Sequence, residues 1–493
     1  MYFNRIFDSE GNGWEGFPRR SYARLDQVEP AVLKQADEAV FAFDAIDAAW
    51  AEFGHGNAFD LTAPGKIASD ISDLWKRLFG PPSRRPSNIP FDHMPVYRIE
   101  ITSRRGDLFW DELVSSNERE WYEIELNEVG SVEVDVYGAI LADPVPTYLS
   151  SVRLLSGPTA QSLSATFDVD SWSNASDQDL SDALDKIASV NTLVVYDVGQ
   201  GGAVGLLDSS DTVRAFFDLG AGSYGNKHTR PKPLRFCWAA NPPVILSHWD
   251  TDHWAGEQSD PAAVARTWIA PRQTNLPPTH HLFASRILKA GGALLIWNAK
   301  AGSTLQTSLS STQTLMIGRC RGSTRNGSGI ACAVDNSNDQ CAWLLTGDAG
   351  YLELGVSSSY DPVSIVVPHH GSDMTHLGSP PLKPSASYGR LLYSFGKGNK
   401  HGRTRVTHPT SNAVNDHQSQ HWDHGAWLSK GIGTCVAGSD ILATAENPAA
   451  VGAAGRHLDS AAAGWVGAPI VPLTGLPHGK GQAFGCTTDI QQS

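Results

Sequence analysis

Residues 247–256 read Ser247-His248-Trp249-Asp250-Thr251-Asp252-His253-Trp254-Ala255-Gly256, directly after the apolar run Val244-Ile245-Leu246. An apolar strand that stops at two histidines and two aspartates within six residues places metal-type side chains at a strand end. In an extended segment, positions i and i+2 share a side. His248 and Asp250 can therefore bind one metal ion, and Asp252 and His253, entering the next turn, can face a second.

The same device recurs along the chain. Leu193-Val194-Val195-Tyr196 runs into Asp197-Val198-Gly199-Gln200-Gly201-Gly202, and Phe216-Phe217-Asp218-Leu219-Gly220 is a second strand ending in a turn. Trp343-Leu344-Leu345-Thr346 is followed by Gly347-Asp348, and Ser364-Ile365-Val366-Val367 by Pro368-His369-His370-Gly371-Ser372. Buried strands with polar groups at one rim are how an α/β scaffold converges side chains from distant sequence. A carboxylate at Asp348 can bridge two cations, one oxygen each. Two metals about 3.5–4 Å apart clamp the attacking and leaving oxygens of a phosphoryl transfer and supply hydroxide at neutral pH.

The chain has 493 residues, 41% hydrophobic and 18% charged, which predicts a globular protein of more than one domain. No apolar run approaches the roughly 18–20 residues of a membrane span. The start, Met1-Tyr2-Phe3-Asn4-Arg5, lacks a basic stretch followed by an apolar core, so no signal peptide is expected. Six scattered cysteines without Cys-x-x-Cys argue against a disulfide scaffold or zinc ribbon and point to the cytoplasm.

Charge divides the chain. Residues 1–190 hold 32 Asp/Glu and 16 Lys/Arg, net −16, whereas 191–493 hold 20 and 22, net +2. Fifteen of the 17 histidines follow residue 190. The acidic part is no phosphate binder by itself. It is expected to be an α+β accessory domain over 1–175. Leu33, Ala36, Val40, Phe43, Ile46, Trp50 and Phe53 predict a helix from Pro30 to Phe53, and 68–79 a shorter one. Strands are expected at 96–102, 121–127 and 131–141. Residues 176–190 read as a connecting helix, 191–445 as the hydrolase domain, and 446–493 as a Gly/Ala-rich extension.

Taken together, the motifs from about 192 to 445 resemble the metallo-β-lactamase fold, and within it the hydrolase domain of ComEC-type DNA-uptake proteins. The matching pieces are Asp197-Val198-Gly199-Gln200-Gly201, Phe217-Asp218-Leu219-Gly220, the 247–256 stretch, Arg325-Asn326-Gly327-Ser328, Leu345-Thr346-Gly347-Asp348 and Val367-Pro368-His369-His370-Gly371-Ser372. Ser394-Phe395-Gly396-Lys397-Gly398-Asn399 and His408-Pro409 then follow as the closing motif. The resemblance implies an αββα sandwich with a dinuclear site of zinc or manganese at one rim. It implies metal ligands at His248, Asp250, Asp252, His253, Asp348 and His408, with His401 the other candidate for the last. It implies phosphodiester hydrolysis, with DNA the expected substrate, through a metal-bridged hydroxide. By the same resemblance His369 and His370 touch the substrate phosphate or protonate the leaving group, with metal ligation the second choice. Asp252 counts among the catalytic groups, and Asn326, Ser328, Ser372 and Lys400 among substrate-binding ones. Two departures stand out. Gly202 replaces the family's aspartate after Gly-Gln-Gly, and the membrane channel of the uptake proteins has no counterpart.

Three acid-free segments, 219–249, 300–334 and 374–415, carry Lys227, Arg230, Lys232, Arg235, Lys300, Arg319, Arg321, Arg325, Lys383, Arg390, Lys397, Lys400, Arg403 and Arg405. They favour a polyanionic substrate. His417, His421 and His424 read as a polar helix end rather than a further metal site. The leading expectation is a metal-dependent phosphodiesterase acting on nucleic acid. Its rivals are a hydrolase of a small phosphodiester such as a cyclic nucleotide, and an effector subunit of a multi-protein system, for example anti-phage defence, whose acidic part docks a protein partner.

Overall fold

The computed structural model describes residues 5–8, 10–11, 16–29, 37–53, 63–232, 234–384, 389–404, 406–423, 440–444 and 460–465. The chain divides into two compact units. The first comprises 1–173 together with 274–292 and 400–406, and the second the remainder.

The first unit is built on a closed antiparallel barrel of β1 (Arg20–Glu29), β2 (Glu38–Asp47), β3 (Val96–Arg104), β4 (Trp121–Asn127), β5 (Val132–Tyr137) and β6 (Val145–Leu154), in the order β1-β2-β3-β5-β6-β4. Alternate residues fill its interior, among them Ala23 and Leu25, Phe41 and Phe43, Ile99 and Ile101, and Val134 and Val136. That period of two is what a pleated strand dictates. Short helices α1 (Ala48–Phe53), α2 (Pro64–Leu78), α3 (Trp110–Ser115) and α4 (Gly157–Thr166) accompany the barrel. In α2, Pro64 opens the helix, and Ile67, Ile71, Leu74, Trp75 and Leu78 are buried on one helical face.

The helix expected from Pro30 to Phe53 is not formed. Its middle is β2, paired with β1 on one side and β3 on the other, and only α1 at its end is helical. Residues 39–46 are apolar at nearly every position, which satisfies a helical and a strand period alike. Two flanking strands then supply backbone partners for β2, and the sheet wins. Residues 30–36 lie outside the described residues.

The second unit holds two seven-stranded sheets. One contains β7 (Thr192–Tyr196), β8 (Ala203–Leu207), β9 (Val213–Leu219), β10 (Val244–Ile245), β11 (Thr267–Pro271) and β12 (Ala293–Trp297), with the late strand Ser460–Gly464 beside β7. The other contains β13 (Thr304–Ser308), β14 (Gln313–Arg319), β15 (Ile330–Asn336), β16 (Cys341–Leu345), β17 (Pro362–Val366), β18 (Arg390–Tyr393) and β19 (Ile441–Ala443). In each, four neighbours run antiparallel and the other end of the sheet is parallel.

One apolar core joins Leu193, Val195, Val204, Phe217, Ile245 and Ile269 of the first sheet to Leu315, Cys332, Trp343, Leu345 and Leu392 of the second, so the sheets pack face to face. Helix α5 (Asp177–Leu184), capped by Ser176, adds Leu180 and Leu184 to that core. Trp465 stacks on Trp343 with ring centroids 3.7 Å apart and planes 7° from parallel. The second sheet's other face packs Ala331, Ala333, Leu344, Ile365 and Leu391 against Val414 of α7 (Ser411–Ser419) and Trp422. Helix α6 (Pro278–Lys289) belongs to the first unit although it lies between strands of the second in sequence. The result is a mixed α/β chain, and among the described residues no helix is long and apolar enough to cross a membrane. Cys237 is disulfide-bonded, against the expectation of reduced thiols, whereas Cys320, Cys332 and Cys341 are free and buried.

Candidate metal centre

The parallel strands β9, β10, β16 and β17 all end at one rim, the place where an open α/β sheet presents ligand-binding groups. β9 ends in Asp218, β10 leads into His248–His253, β16 into Asp348, and β17 into His369 and His370. Close packing of these loops is enforced by small residues. A side chain on Gly220 would put its Cβ 1.6 Å from the Asp252 carbonyl oxygen.

Asp348 is the hub. Its Oδ1 lies 3.1 Å from His253 Nε2 and 4.0 Å from His370 Nε2, and its Oδ2 lies 3.5 Å from His369 Nε2 and 3.7 Å from His248 Nε2. Asp250 Oδ2 is 3.3 Å from His248 Nε2, and Asp252 Oδ2 is 3.2 Å from His370 Nε2. His248 and His369 thus face Oδ2 of Asp348 and His253 and His370 face Oδ1, with Asp250 beside His248 and Asp252 beside His370. The donor atoms of His248, His253 and Asp348, and those of Asp252, His253 and His370, lie within 4.8 Å of one another.

The imidazoles are oriented from behind. His253 Nδ1 is 2.8 Å from Asp218 Oδ2, His248 Nδ1 is 2.9 Å from Ser247 Oγ, and His370 Nδ1 is 2.9 Å from the Ser394 carbonyl oxygen. Each such contact fixes the ring and turns Nε2 toward Asp348, the arrangement that supports metal-ligating histidines. The Nε2 atoms of His248 and His253 are buried and have no hydrogen-bond partner, and that of His370 meets Asp252. Buried, unpaired nitrogens aimed at carboxylates that do not hydrogen-bond them are what a cation between them requires. The donor set therefore fits divalent metal.

Electrostatics agree. Burial alone would push the Asp348 carboxyl up, but His253, His369, His248 and His370 hold it well below its ordinary range. Asp252 is likewise depressed against burial by His253 and His370. Against the burial that favours neutral imidazole, Asp348, Asp218 and Asp252 raise His253, and Asp348 and Asp252 raise His370.

His369 and His370 do not diverge as neighbours in a strand would. They leave β17 in a 3₁₀ turn with φ of +48° and +55°, and both rings point at Asp348. Consecutive left-handed non-glycine residues are strained, and such strain collects at functional sites. His408 is held by Asn399 and its ring stands 5.6 Å from that of His369; the donor clusters at Asp348 contain neither it, nor His369, nor Asp250, but His369 reaches Asp348 Oδ2. Burial, with His369 and His370, pushes the His408 imidazole well down. Lys400 and His401 belong to the first unit. Ser328 accepts from Gln273 Nε2 at 2.8 Å, and Asn326 opens the same short turn. Ser372 donates its backbone N–H to the His369 carbonyl.

Three supporting residues were not assigned roles by the sequence. Asp218 orients His253, and Gln273 ties the Arg325 carbonyl to the loop. Arg325 Nε lies 3.1 Å from Asp250 Oδ1. Asp218 also explains Gly202: a Cβ there would sit 3.0 Å from His253 Nδ1 and 3.5 Å from Asp218 Oδ2. The carboxylate behind His253 comes from β9, and the residue at 202 must stay small.

His417 of α7 bonds to the Tyr351 hydroxyl at 2.8 Å and to the Ala413 carbonyl at 2.7 Å, a packing role, while His424 lies outside the described residues.

No protein-family model matches the chain, and no curated protein matches it. Among solved structures, Zn²⁺-bound PqqB from Methylobacterium extorquens is similar over 52% of this chain and 92% of that one, at 9% identity and a TM-score of 0.24.

Proposed function

We propose that the second unit is a metal-dependent hydrolase of metallo-β-lactamase type that cleaves phosphodiesters, with nucleic acid as its first candidate substrate. The observation that carries this reading is the division of donors between the two oxygens of Asp348. His248, Asp250 and His369 would hold one divalent ion, Asp252, His253 and His370 the other, and Asp348 would bridge them. Mixed imidazole and carboxylate donors suit zinc or manganese. When bound, such ions lower the pKa of coordinated water and neutralise charge on a phosphoryl oxygen.

The chain's own residues supply position. Asp218, Ser247 and the Ser394 carbonyl fix the three imidazoles, and Arg325 holds Asp250 through its second oxygen. With Nδ1 engaged by a backbone carbonyl, His370 offers Nε2 as a lone pair. We therefore assign His370 and His369 to ligation ahead of leaving-group protonation.

A small phosphodiester is the second reading. Several cations of the acid-free segments are turned inward: Arg230 onto the Ala255 carbonyl, Arg319 onto that of Arg272, Arg321 onto that of Leu354, and Lys383 onto Asp440. Those side chains do not form a track for a polynucleotide.

The test uses the full chain, stripped with chelator and reloaded with Zn²⁺ or Mn²⁺. It is offered bis(p-nitrophenyl) phosphate, single- and double-stranded DNA, RNA and cyclic dinucleotides at several salt concentrations. Metal-dependent cleavage, abolished by Asp348→Asn, is expected. A steep fall in DNA affinity with salt marks a polynucleotide enzyme, and salt-insensitive turnover of a cyclic dinucleotide the small-substrate alternative. Undiminished cleavage in metal-free protein, or no cleavage of any diester by the reloaded one, refutes the proposal.

A further inference from the structure

The first unit carries its own set of metal-type donors on the outer face of the barrel. Asp26 of β1, Asp44 of β2 and His280 of α6 each offer a ligand atom within 4.8 Å of the others, and all three are buried. They stand on the face opposite the apolar filling, since Leu25, Phe43 and Ile99 of the same strands point inward.

Local backbone geometry singles out Asp26. Leu25 pairs with Phe43 and Gln27 with Ala42, so Asp26 is the extra residue of a β-bulge. A bulge re-aims the side chain it carries, and here it brings a carboxylate toward Asp44. Within the same row of the sheet, Asp44 faces Arg98 of β3.

The polar partners are unequally shared. Asp26 takes the guanidinium of Arg98 on Oδ2 and His280 Nε2 at 3.0 Å on Oδ1. Asp44 is fully buried, Arg98 Nη1 is 3.6 Å from its Oδ1 and the Thr279 hydroxyl lies beside it, but neither oxygen accepts a hydrogen bond of good geometry. Arg98 is also 3.5 Å from the buried Glu100. Three buried carboxylates thus draw on one guanidinium, while Arg24 turns over the Trp121 ring. A buried carboxylate without a donor is expensive to keep charged. Burial and Asp26 push the Asp44 carboxyl up, against Arg98, His280 and the Thr279 hydroxyl, and a proton or a cation would relieve it. A proton would serve one oxygen of Asp44. It would not account for the bulge that turns Asp26 toward the same point.

We propose that Asp26, Asp44 and His280 bind a divalent cation of the zinc class, which ties α6 to the outer face of the barrel. Two carboxylates and one imidazole make three protein ligands and leave a position for water, a donor set zinc accepts. Such an ion links β1 and β2 to a helix more than 200 residues later in the chain. Its role is structural, since metal bound only by the folded unit stabilises that fold.

The experiment counts zinc in the full chain by elemental analysis after equilibration with Zn²⁺ and removal of free metal. The comparison is between wild type, Asp44→Asn and His280→Gln. Asp44→Asn keeps shape and removes charge, and His280→Gln keeps a hydrogen-bond donor toward Asp26. Each is expected to bind one zinc fewer than wild type and to lose most of the added melting-temperature drop that chelator causes. The centre at Asp348 remains loaded in both, so the count does not depend on what that centre hydrolyses. Zinc content equal to wild type in either folded variant overturns the proposal and leaves Asp44 with a proton.

Discussion

Replacing Asp218 by asparagine tests whether the metal centre is oriented from its second layer. Asp218 sits at the end of β9 with φ of +61°, a conformation asparagine also tolerates, so the backbone should be kept. Its two oxygens do two jobs: Oδ1 accepts the Ser247 backbone N–H at 2.6 Å, and Oδ2 faces His253 Nδ1 at 2.8 Å. An amide has one acceptor oxygen and one NH₂ group. Either the Ser247 N–H loses its acceptor, or His253 Nδ1 faces a donor and its proton moves to Nε2, the atom aimed at Asp348. Disturbing such a partner lowers metal affinity about 10–100-fold, which is roughly 1.4–2.7 kcal/mol at 1.36 kcal/mol per decade. The assay is competition with a chromophoric chelator on the full chain, with melting temperature recorded alongside. Asp218→Asn is expected to weaken at least one metal equivalent by that factor. Affinity within twofold of wild type for every equivalent, in a folded variant, would refute the argument that Asp218 sets the His253 ring.

Three further expectations follow from particular contacts. His369→Ala and His370→Ala should each lose about one metal equivalent by elemental analysis; full metal content with lost turnover would return both to the substrate. Asp208 closes the β8–β9 turn; burial would raise its carboxyl, but the Ser210 hydroxyl and N–H, the Thr212 N–H and Arg214 hold it at about 2. A folded pKa below the unfolded value stabilises at neutral pH and is lost as pH falls from about 4 to 2. Asp208→Asn should therefore cost about 1 kcal/mol at pH 7, after allowance for solvent screening, with most of that difference gone by pH 2, read from denaturant melts. Trp465→Ala removes the ring stacked on Trp343 and the indole N–H bonded to the Val190 carbonyl. It should destabilise the second unit by about 3–5 kcal/mol in equilibrium unfolding, and a loss below 1 kcal/mol would show that the stack is not formed in solution.

The candidate metal ligands were legible because they follow apolar strand ends at short spacing, and a short motif keeps its meaning wherever the chain goes. His248, Asp250, Asp252, His253 and Asp348 converge as their positions implied. Asp218 was visible as part of a motif but not as the partner of His253, because β9 and the 247–253 loop meet only through strand pairing. The orientation of His369 and His370 was not legible for a local reason: two consecutive left-handed residues after β17 turn both rings toward Asp348, and no spacing rule announces such a turn. β2 was read as a helix because an unbroken apolar run carries no period. The make-up of the first unit was hidden differently. Residues 274–292 and 400–406 join it from the middle of the hydrolase motifs, and nothing in their composition marks them as belonging to a barrel of other strands.

Charge bears on the substrate in a way that composition alone misstates. The acidic N-terminal part spends many of its carboxylates on its own cations: Arg98 on Asp26, Arg20 on Glu52 and Glu123, Arg153 on Glu123, and Arg403 on Asp135 and Glu133. Several cations of the acid-free segments near the metal motifs are likewise occupied, with Arg325 on Asp250 and Arg390 on the Gly389 carbonyl adding to the inward-facing set, whereas Lys232, Arg235, Lys300 and Lys397 are exposed. A guanidinium engaged by a buried acceptor cannot also release counterions from a phosphate backbone. Part of the attraction for an anionic substrate would then reside in the divalent ions that the proposed function gives to His248, His253, His369, His370 and Asp348. Recognition by ions at one point reads a single phosphate and its two ester oxygens, not a long stretch of backbone. Under the proposed function such a centre would act on the scissile group itself, and the exposed Lys232, Arg235, Lys300 and Lys397 would be among the cations of the basic segments left to meet the rest of the substrate.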